Sequence, residues 1–222
     1  RINPGDVVVI HQTQGVGAGC WELNKAASDF GGSTGIVQLV SPLKCNYVSG
    51  GSNRAQYLRV PQYSTCNVTG TVNPIYPWNG VTGGILAVMC SSEMVVSGNI
   101  SADSQGYRGG QGAGDDAAMT GEGNESVSLR NTSNPPGNGG GTVHVSCAGG
   151  GNGTSGQSGG EGAIGDAAGN TDLSNMVMGG GGGGGAVSYE YARGPGGAGG
   201  GIVIVIAKSL SVTGGIFSRG GA

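Results

Sequence analysis

Histidine, the side chain most often used in general acid–base catalysis, occurs only twice among the 222 residues of this sequence. His11 alternates with its neighbours in VVVIHQTQ, and His144 does so in TVHVSC, which is the pattern of strand positions. No Ser-His-Asp set is recognisable around either residue. We therefore predict no catalytic residue and a protein that is not an enzyme.

Acidic residues in glycine-rich segments are the candidates for a metal site. GGQGAGDDA and GGEGAIGDA resemble calcium-binding glycine-rich nonapeptides, in which an aspartate must occupy a fixed turn position. The acids that such a site would use are Asp115, Asp116, Glu122 and Asp166. The aspartates of both segments fall late of the required position, so we expect solvated loop acids, no bound metal and no cofactor.

Carboxylates and aromatic rings suggest two further kinds of chemistry, both directed at carbohydrate. Two acids that flank a glycosidic bond can cleave it, and Asp103, Asp115 and Asp116 are available, although their spacing defines no such geometry. Exposed aromatic faces can instead stack on sugars. The available rings are Trp21, Trp78, Tyr63, Tyr76 and Tyr107. We expect about half of these rings to lie in the core.

Five cysteines occur far apart, without a CxxC motif and without a histidine at metal-ligand spacing, so a zinc site is not expected. Neighbouring cysteines along a meandering β-chain are often close in space, and on this basis we predict a disulfide between Cys20 and Cys45. A second disulfide is predicted between Cys66 and Cys90, which leaves Cys147 unpaired or paired between chains. Other pairings remain open, and five reduced cysteines in a cytosolic protein are the alternative.

Acceptor sequences for N-glycosylation are more frequent than the content of asparagine, serine and threonine predicts. The asparagines of these sequons are Asn67, Asn99, Asn124, Asn131 and Asn152. Together with the cysteines, this excess favours a secreted, extracellular glycoprotein that folds in an oxidising compartment.

Charge and hydropathy exclude several classes of partner. The net charge is −3 with 10% charged residues, and the chain contains no basic cluster or stripe, so we predict binding to neither nucleic acid nor membrane. The apolar runs are far shorter than the roughly 20 residues that span a bilayer. Because the chain begins with Arg1 rather than methionine, we expect a mature, processed and soluble product.

Residues 1–82 have the patterns of a β-rich part. DVVVI, GIVQLVSPL, AQYLRVPQY and TCNVTGTVN predict strands, because apolar residues alternate or run together in them. CWELNKAASDF has weak helical periodicity and predicts one short helix. GVGAG at 15–19 lacks the structural context and the acid of a dinucleotide-binding loop, and it predicts a turn.

Residues 83–222 contain an imperfect internal repeat in which two glycines precede an alternating strand. GGILAVMCSSEMVVSGNISA at 83–102 matches GGIVIVIAKSLSVTGGIFS at 200–218 with one residue of slippage. GGTVHVSCAGG at 140–150 and GGAVSYEYARG at 184–194 are shorter relatives. We expect this glycine-rich repeat part to form one continuous domain with the β-rich N-terminal part.

Glycine makes up 52 of the 222 residues and is concentrated between these strands. A glycine costs about 0.5–1 kcal/mol more to order than an alanine, so this composition is expected only where the absence of a side chain is needed. Extended glycine segments with three residues per turn can lie side by side and pair their N–H and C=O groups. We therefore predict that residues 179–185 are a packed backbone element beside the strand at 202–207.

Three segments carry a resemblance to known proteins: PGDVVVIHQTQGVGAG, VPQYSTCNVTGTVNPIYPWNGVTGGILAV and GGAGGGIVIVIAKSLSVTGGI. They resemble glycine-rich, β-solenoid-like domains of secreted bacterial surface proteins, and the glycine tract is similar to the polyglycine regions of phage tail-tip adhesins. The resemblance implies an extracellular structural or adhesive role and no catalytic motif. With the strand patterns, it predicts an all-β, solenoid-like or sandwich-like domain with a polyglycine II-like layer.

We expect a non-enzymatic structural protein whose partners are copies of itself, assembled into an extracellular fibre or coat. Low charge, open strand edges and abundant glycine suit backbone contact between subunits. A carbohydrate- or surface-binding adhesin, with glycans as partners, is the alternative, and an ice-binding protein is a third. The strands near 84–90 and 202–207 are expected to be covered by the chain or by the next subunit, and Ile204→Lys is expected to abolish polymers.

Overall fold

A computed structural model describes residues 1–31, 36–112, 118–125, 137–143, 146–159, 162–185 and 194–222. Within these ranges the chain is all-β and contains no helix, which confirms the predicted class. The strands form two antiparallel and two parallel sheets. All four sheets are open, and the described residues close no solenoid coil.

The N-terminal sheet has β1 (Val7–Gln14) at its centre, with β2 (Trp21–Lys25) and β3 (Arg54–Arg59) antiparallel on either side. Every residue of β1 is buried, including the polar residues 11–14 of its second half. GVGAG forms the predicted turn between β1 and β2, and its three glycines have left-handed φ angles that other residues rarely adopt.

The segment CWELNKAASDF, predicted as a short helix, is instead a strand over Trp21–Lys25. Its register places Lys25 opposite Val7 and Trp21 opposite His11, so β1 satisfies its backbone groups. The helix prediction is wrong because pairing with a central strand outweighs a weak local periodicity.

The run GIVQLVSPL, predicted as a strand, forms no strand over its described residues 36–43. Its one ladder contact is an isolated bridge between Ala26 and Leu39. β1 already has a neighbour on each edge, and this run lies outside β2, where the exposed Val40 donates its N–H to the Lys25 carbonyl at 2.9 Å. Apolar alternation here does not mark a buried face.

Three segments distant in sequence stack as a parallel ladder, and each of them is termed a rung. The first rung is residues 62–72, the second 85–101 and the third 202–217, and the second lies between the other two. Their strands are β4 (Gln62–Tyr63), β5 (Cys66–Val68) and β6 (Thr71–Val72); β7 (Ile85–Val96) and β8 (Asn99–Ser101); and β11 (Ile202–Val212) and β12 (Gly215–Phe217).

The internal repeat corresponds to the pairing of the second and third rungs. Ile85 pairs in parallel with Ile202, and Val96 pairs with Val212. The one-residue slippage between the two sequences is a β-bulge, since the register shifts after Ala207. Repetition in the sequence therefore encodes stacking of equivalent residues in space.

The two shorter relatives of the repeat do not join this ladder within the described residues. The relative at 140–150 forms an antiparallel pair, β9 (Thr142–Val143) with β10 (Ser146–Cys147). The relative at 184–194 lies almost entirely outside the described residues.

The core consists of two apolar clusters on opposite faces of the ladder. The first packs Val7 and Val9 of the N-terminal sheet against Ile85 and Ile204, so it joins both parts of the chain. The second lies on the other face and includes Met94, Val96 and Ile100. Because Ile204 is buried in the first cluster, Ile204→Lys would destabilise the subunit itself and is not a clean test of polymer contacts.

Gly179–Gly185 is packed between other backbone segments, and the partners of its N–H groups recur every third residue. Gly179, Gly182 and Gly185 donate to residues 194–200, Gly180 and Gly183 to 148–151, and Gly181 and Gly184 to 119–122. The donor–acceptor distances are 2.8 to 3.0 Å. The tract is thus a packed backbone element, as its composition indicates, and Gly179 bonds to Gly200 next to β11.

Side chains do not fit inside this packing. A Cβ on Gly181 would overlap the carbonyl of Arg108, and a Cβ on Gly183 would overlap that of Gly141. Neither glycine has a left-handed φ. Glycine is needed at both positions because backbones approach closely, and not because of conformation.

Candidate functional site

The parallel ladder has two outer rungs, and each has a strand neighbour on only one side among the described residues. The strand near 84–90 is expected from the sequence to be covered by the chain or by the next subunit. It is internal to the ladder, because the other two rungs flank it. The strand near 202–207 is part of β11, an outer strand of 11 residues. The N–H and C=O groups along the free side of such a strand can pair with another chain.

Apolar side chains stack in columns across the rungs, because parallel pairing keeps equivalent residues adjacent. In the first column Met94 lies between Cys66 and Leu210. Met94 is fully buried, whereas Leu210 on the outer rung is 48% exposed.

Two further columns show the same gradient. Their members are Val68, Val96 and Val212 in the second column and Val72, Ile100 and Ile216 in the third. Ile100 in the middle is 1% exposed, but Val72 and Ile216 at the two ends are 40% and 38% exposed. The columns are closed in the middle. All three of their ends on the third rung are exposed, whereas on the first rung Val72 is exposed, Val68 is half-buried and Cys66 is buried.

An apolar cleft of about 320 Å³ lies at the first-rung end of these columns. Tyr63, Val68 and Val72 line it from the first rung, and Leu86 and Met94 line it from the second. The cleft therefore leads from the solvent to the buried middle of the columns.

The outer rungs have almost none of the charged residues that protect edge strands in soluble proteins. Residues 62–72 contain no charged side chain, and residues 202–217 contain one, Lys208. Neither segment contains proline. Both edges are therefore open to backbone pairing.

Each rung turns a corner at a glycine, and Gly70, Gly98 and Gly214 stack on one another. A Cβ on Gly214 would overlap the Gly98 carbonyl, and a Cβ on Gly98 would overlap the Gly70 carbonyl. A Cβ on Gly70 would meet no described atom within 4 Å, and Gly70 has no left-handed φ. The described part of the chain thus contains no reason for glycine at position 70.

The hydrogen bonds at these corners all run in one direction. Gly214 donates its N–H to the Val96 carbonyl at 3.0 Å, and Gly98 donates to the Val68 carbonyl at 2.8 Å. By the same geometry, the carbonyl of Val212 on the third rung points to the open side of the ladder. At these corners, therefore, within the described part of the chain, the third rung presents a free acceptor and the first rung presents a free donor, the N–H of Gly70.

The two disulfides join the cysteine pairs predicted from their order. Cys66 bonds to Cys90, with Cα atoms 6.1 Å apart, and ties the first rung to the second. Cys20 bonds to Cys45, with Cα atoms 6.6 Å apart. Cys147 is half-buried and forms no disulfide in the described chain. These bonds indicate an oxidising environment.

The sequon asparagines lie in different surroundings. Asn67, Asn99 and Asn152 are exposed, and the first two lie on β5 and β8 of the ladder. Asn124 is half-buried, and its side-chain oxygen accepts a backbone hydrogen bond at 3.0 Å. Asn131 is outside the described residues. Glycosylation stays a prediction, with three of these positions accessible to it.

His11 is a core residue of β1. Its Nε2 donates to the carbonyl of Met176 at 2.8 Å, since a carbonyl only accepts, and its Nδ1 therefore accepts from the Thr13 hydroxyl at 2.9 Å. Desolvation lowers the pKa of His11 to about 4, although the bond to Met176 raises it. Because its ring is neutral and enclosed, His11 is a structural residue. His144 is outside the described residues.

Asp103, considered as a catalytic acid, is paired with Arg219 near the C-terminus. The Nη2 of Arg219 lies 2.6 Å from the Asp103 carboxylate, and this hydrogen bonding lowers the pKa of Asp103. Asp115 and Asp116, its suggested partners, lie outside the described residues.

Of the acids expected to be solvated in loops, Asp166 is exposed, but Glu122 is fully buried, so the expectation is wrong for Glu122. The Glu122 carboxylate binds Arg108 at 2.8 Å and accepts the indole N–H of Trp78 at 3.0 Å. Within the described ranges, no three histidine, cysteine or acidic residues are grouped closely enough to hold a metal ion.

The aromatic rings considered for sugar stacking are divided between core and surface. Trp78 and Tyr107 are buried and meet edge to face, with centroids 6.0 Å apart and an interplanar angle of 89°. Trp21 is half-buried, and its indole N–H donates to a backbone carbonyl at 2.8 Å. Only Tyr63 and Tyr76 present exposed faces.

Comparisons with known proteins identify no family for this chain: a scan against protein-family models, a search of curated proteins and a search of solved structures find no significant match. Within the described ranges, no helix is long and apolar enough to cross a membrane. The geometry of the ladder ends is therefore the basis for inferring function.

The open column ends and the stacked corner glycines are features that the sequence predictions missed. Their signal is a third copy of the repeat, because TCNVTGTV at 65–72 aligns with EMVVSGNI at 93–100 and SLSVTGGI at 209–216. The copy at 65–72 is hard to recognise because it is short and lacks the leading pair of glycines.

Proposed function

We propose that this chain is a non-enzymatic structural protein, the subunit of a self-assembling extracellular fibre or coat. Its partner is another copy of the same chain. One observation carries the proposal: in the described residues, both outer rungs of one ladder have a free edge, and both present an exposed end of the same apolar column, Val72 at one edge and Ile216 at the other.

Such a pair of surfaces favours open-ended growth. The two outer rungs differ from each other, so contact between them is heterologous, and a heterologous contact repeats indefinitely unless its rotation closes a ring. Covering Leu210, Val212 and Ile216 would remove apolar surface from water, which is favourable by about 25 cal/mol per Å². Backbone pairing along the edge would add direction and register.

We further infer that the glycine-rich part is a polyglycine II-like layer. The threefold alternation of N–H partners along Gly179–Gly185 supports this assignment. A layer whose backbone groups are paired on several sides resists deformation, which suits a load-bearing fibre. The ladder, open in one subunit, would become a continuous solenoid-like stack in the polymer.

Electron microscopy and sedimentation velocity over a range of concentrations test this function. We expect filaments or sheets above a threshold concentration. Leu210→Lys places a charge at an open column end and is expected to prevent polymerisation. Ile36→Lys is the matched control, because Ile36 is exposed but belongs to no rung, and it should polymerise normally. A protein that stays monomeric at every concentration would contradict the proposal.

A second candidate function, binding to a carbohydrate or another surface, is favoured by the loop at 73–82. Tyr76 is 70% exposed there, and Ile75 and Val81 are exposed beside it in sequence. An exposed ring flanked by apolar side chains can stack on a sugar face. A glycan array probed with the wild type and with Tyr76→Ser tests this function, which requires binding that the substitution removes.

A further inference from the structure

The contact between subunits can be assigned to particular strands, an assignment that rests on the proposed function. We propose that the third rung of one copy pairs in parallel with the first rung of the next copy. The opposed pairs are Ala207 with Tyr63, Leu210 with Cys66, Val212 with Val68 and Ile216 with Val72. The partner is a second copy of this chain, and the contact is head to tail.

The first argument is that the two outer rungs have the same number of residues between equivalent paired positions. The second rung has one more residue between Cys90 and Met94 than the first rung has between Tyr63 and Cys66. The third rung shows the same difference, between Ala207 and Leu210. First and third rungs therefore align with each other without insertion or deletion, although each needs a bulge to pair with the second.

The second argument is that the apolar columns would continue across the contact. Ile216 ends the third column at one edge of the ladder, and Val72 ends it at the other. Placing Val72 of the next copy over Ile216 gives both side chains the two-sided cover that Ile100 has within the subunit. The same alignment covers the ends of the other two columns.

The third argument is the glycine at position 70. Gly98 and Gly214 each lie where a Cβ would strike the glycine carbonyl of the preceding rung. In the proposed contact, the rung that precedes Gly70 is the third rung of the adjoining copy, so a Cβ on Gly70 would strike the Gly214 carbonyl. The contact thus explains a glycine that the described part of one subunit does not require.

The fourth argument is the direction of the corner hydrogen bonds. Gly98 and Gly214 each donate their N–H to a carbonyl of the preceding rung. Gly70 is the equivalent donor on the first rung, and the Val212 carbonyl is the equivalent acceptor on the third. Bringing the two edges together supplies this missing bond with no change of geometry.

A symmetric contact between two copies of β11 satisfies fewer of these groups. Two identical edges would pair antiparallel and close a dimer, which leaves both first rungs uncovered. Val72 and the cleft beside it would then stay open to solvent, and Gly70 would remain unexplained. The head-to-tail contact covers both edges of every internal subunit.

Cysteine cross-linking tests the register in a Cys147→Ser background. Neighbouring strands are about 4.8 Å apart, within the Cα range of a disulfide, whereas the first and third rungs of one copy are about 10 Å apart and beyond it. Val72→Cys combined with Ile216→Cys should therefore bond only between copies and give a series of covalent oligomers on a non-reducing gel. Val72→Cys combined with Val212→Cys is out of register and should give at least about tenfold less.

Gly70→Ala separates assembly from folding. The alanine has room within its own copy but would strike Gly214 of the adjoining one, so we expect unchanged thermal unfolding of the monomer and a threshold concentration for polymerisation raised by about tenfold or more. Gly153→Ala is the matched control, because Gly153 also has open space and no left-handed φ, and it should change neither quantity.

The possible outcomes distinguish this contact from the proposed function itself. Filaments that lack the cross-link between positions 72 and 216, or filaments of Gly70→Ala that form as readily as those of the wild type, would overturn the contact and leave the fibre proposal standing. A covalent dimer formed by Ile216→Cys alone would overturn it in favour of a symmetric contact. A wild type that never polymerises would overturn both proposals.

Discussion

Leu210 lies directly opposite Met94 in the parallel ladder, yet Met94 is fully buried and Leu210 is 48% exposed. Both are flexible apolar side chains in one column, so their chemistry does not account for the difference. Met94 has a rung on each side, and Leu210 has one on a single side. Exposure in this molecule follows position in the stack, and a further rung would abolish the difference.

Met94→Ala and Leu210→Ala are expected to differ in their cost to the monomer. The first leaves a cavity in a closed column and should lower the free energy of unfolding by about 2–5 kcal/mol. The second removes a half-exposed side chain and should cost less than about 1 kcal/mol. Urea denaturation below the polymerisation threshold measures both, and equal costs would contradict the open-ended column.

Acid is expected to destabilise the fold through His11. Its pKa falls from 6.5 in the unfolded chain to about 4 in the folded one. Between these values only the unfolded state binds the proton, so stability falls as the pH drops through this window, by about 3 kcal/mol in total. Well above pH 6.5 the ring is neutral in both states, and the residue contributes no pH dependence.

His11→Gln is the control for this prediction, because an amide can donate to Met176 and accept from Thr13 without titrating. Urea denaturation at several pH values between 7.5 and about 4 should show a shallower loss of stability for the variant. Parallel profiles for the two proteins would show that His11 is not the group that titrates.

Loss of the Cys66–Cys90 disulfide is expected to prevent polymerisation. This bond holds the short strands of the first rung on the second. Cys66→Ser with Cys90→Ser should cost about 3 kcal/mol of stability, increase hydrogen exchange in residues 62–72 and remove one of the two contact edges.

Cys20→Ser with Cys45→Ser is the matched control for that variant. The two disulfides span nearly equal sequence separations, 25 and 24 residues, so their loss should cost similar loop entropy. The control should still polymerise, because Cys20 and Cys45 belong to no rung. If both double variants polymerise equally well, the first rung is not part of the contact.

The glycine tract is expected to be rigid. Gly181→Ala would force a Cβ onto the carbonyl of Arg108 and should lower stability by about 1–3 kcal/mol, whereas Gly153→Ala should be nearly neutral. Amide exchange in Gly179–Gly185 should be strongly protected, because each N–H has a backbone partner. Exchange of the whole tract within seconds would instead indicate an exposed linker.

The sequence predicted those features that depend on repetition and on residue type. The sequence match between the segments beginning at Ile85 and Ile202 corresponds to their parallel pairing. The one-residue slippage between the two sequences corresponds to the bulge. The glycine content indicated close backbone packing, because no other residue allows it. The order of the cysteines predicted the two pairs that bond.

Features that depend on which partner a segment meets were not predictable in this way. Trp21–Lys25 is a strand because it pairs with the central strand β1, whereas residues 36–43 lie at the outer edge of β2 and make only an isolated bridge there. The open column ends were missed for a related reason. The residue types of Leu210 and Ile216 do not indicate that the stack of rungs ends at them.

Electron cryomicroscopy of the purified native protein at high concentration tests the central claim, polymerisation through the outer rungs, most directly. We predict filaments in which strands lie across the filament axis at a spacing of about 4.8 Å, with three strands and therefore a rise of about 14 Å for each subunit. The density should place Ile216 of one copy against Val72 of the next. A monodisperse monomer, or filaments whose outer rungs face solvent, would contradict the claim.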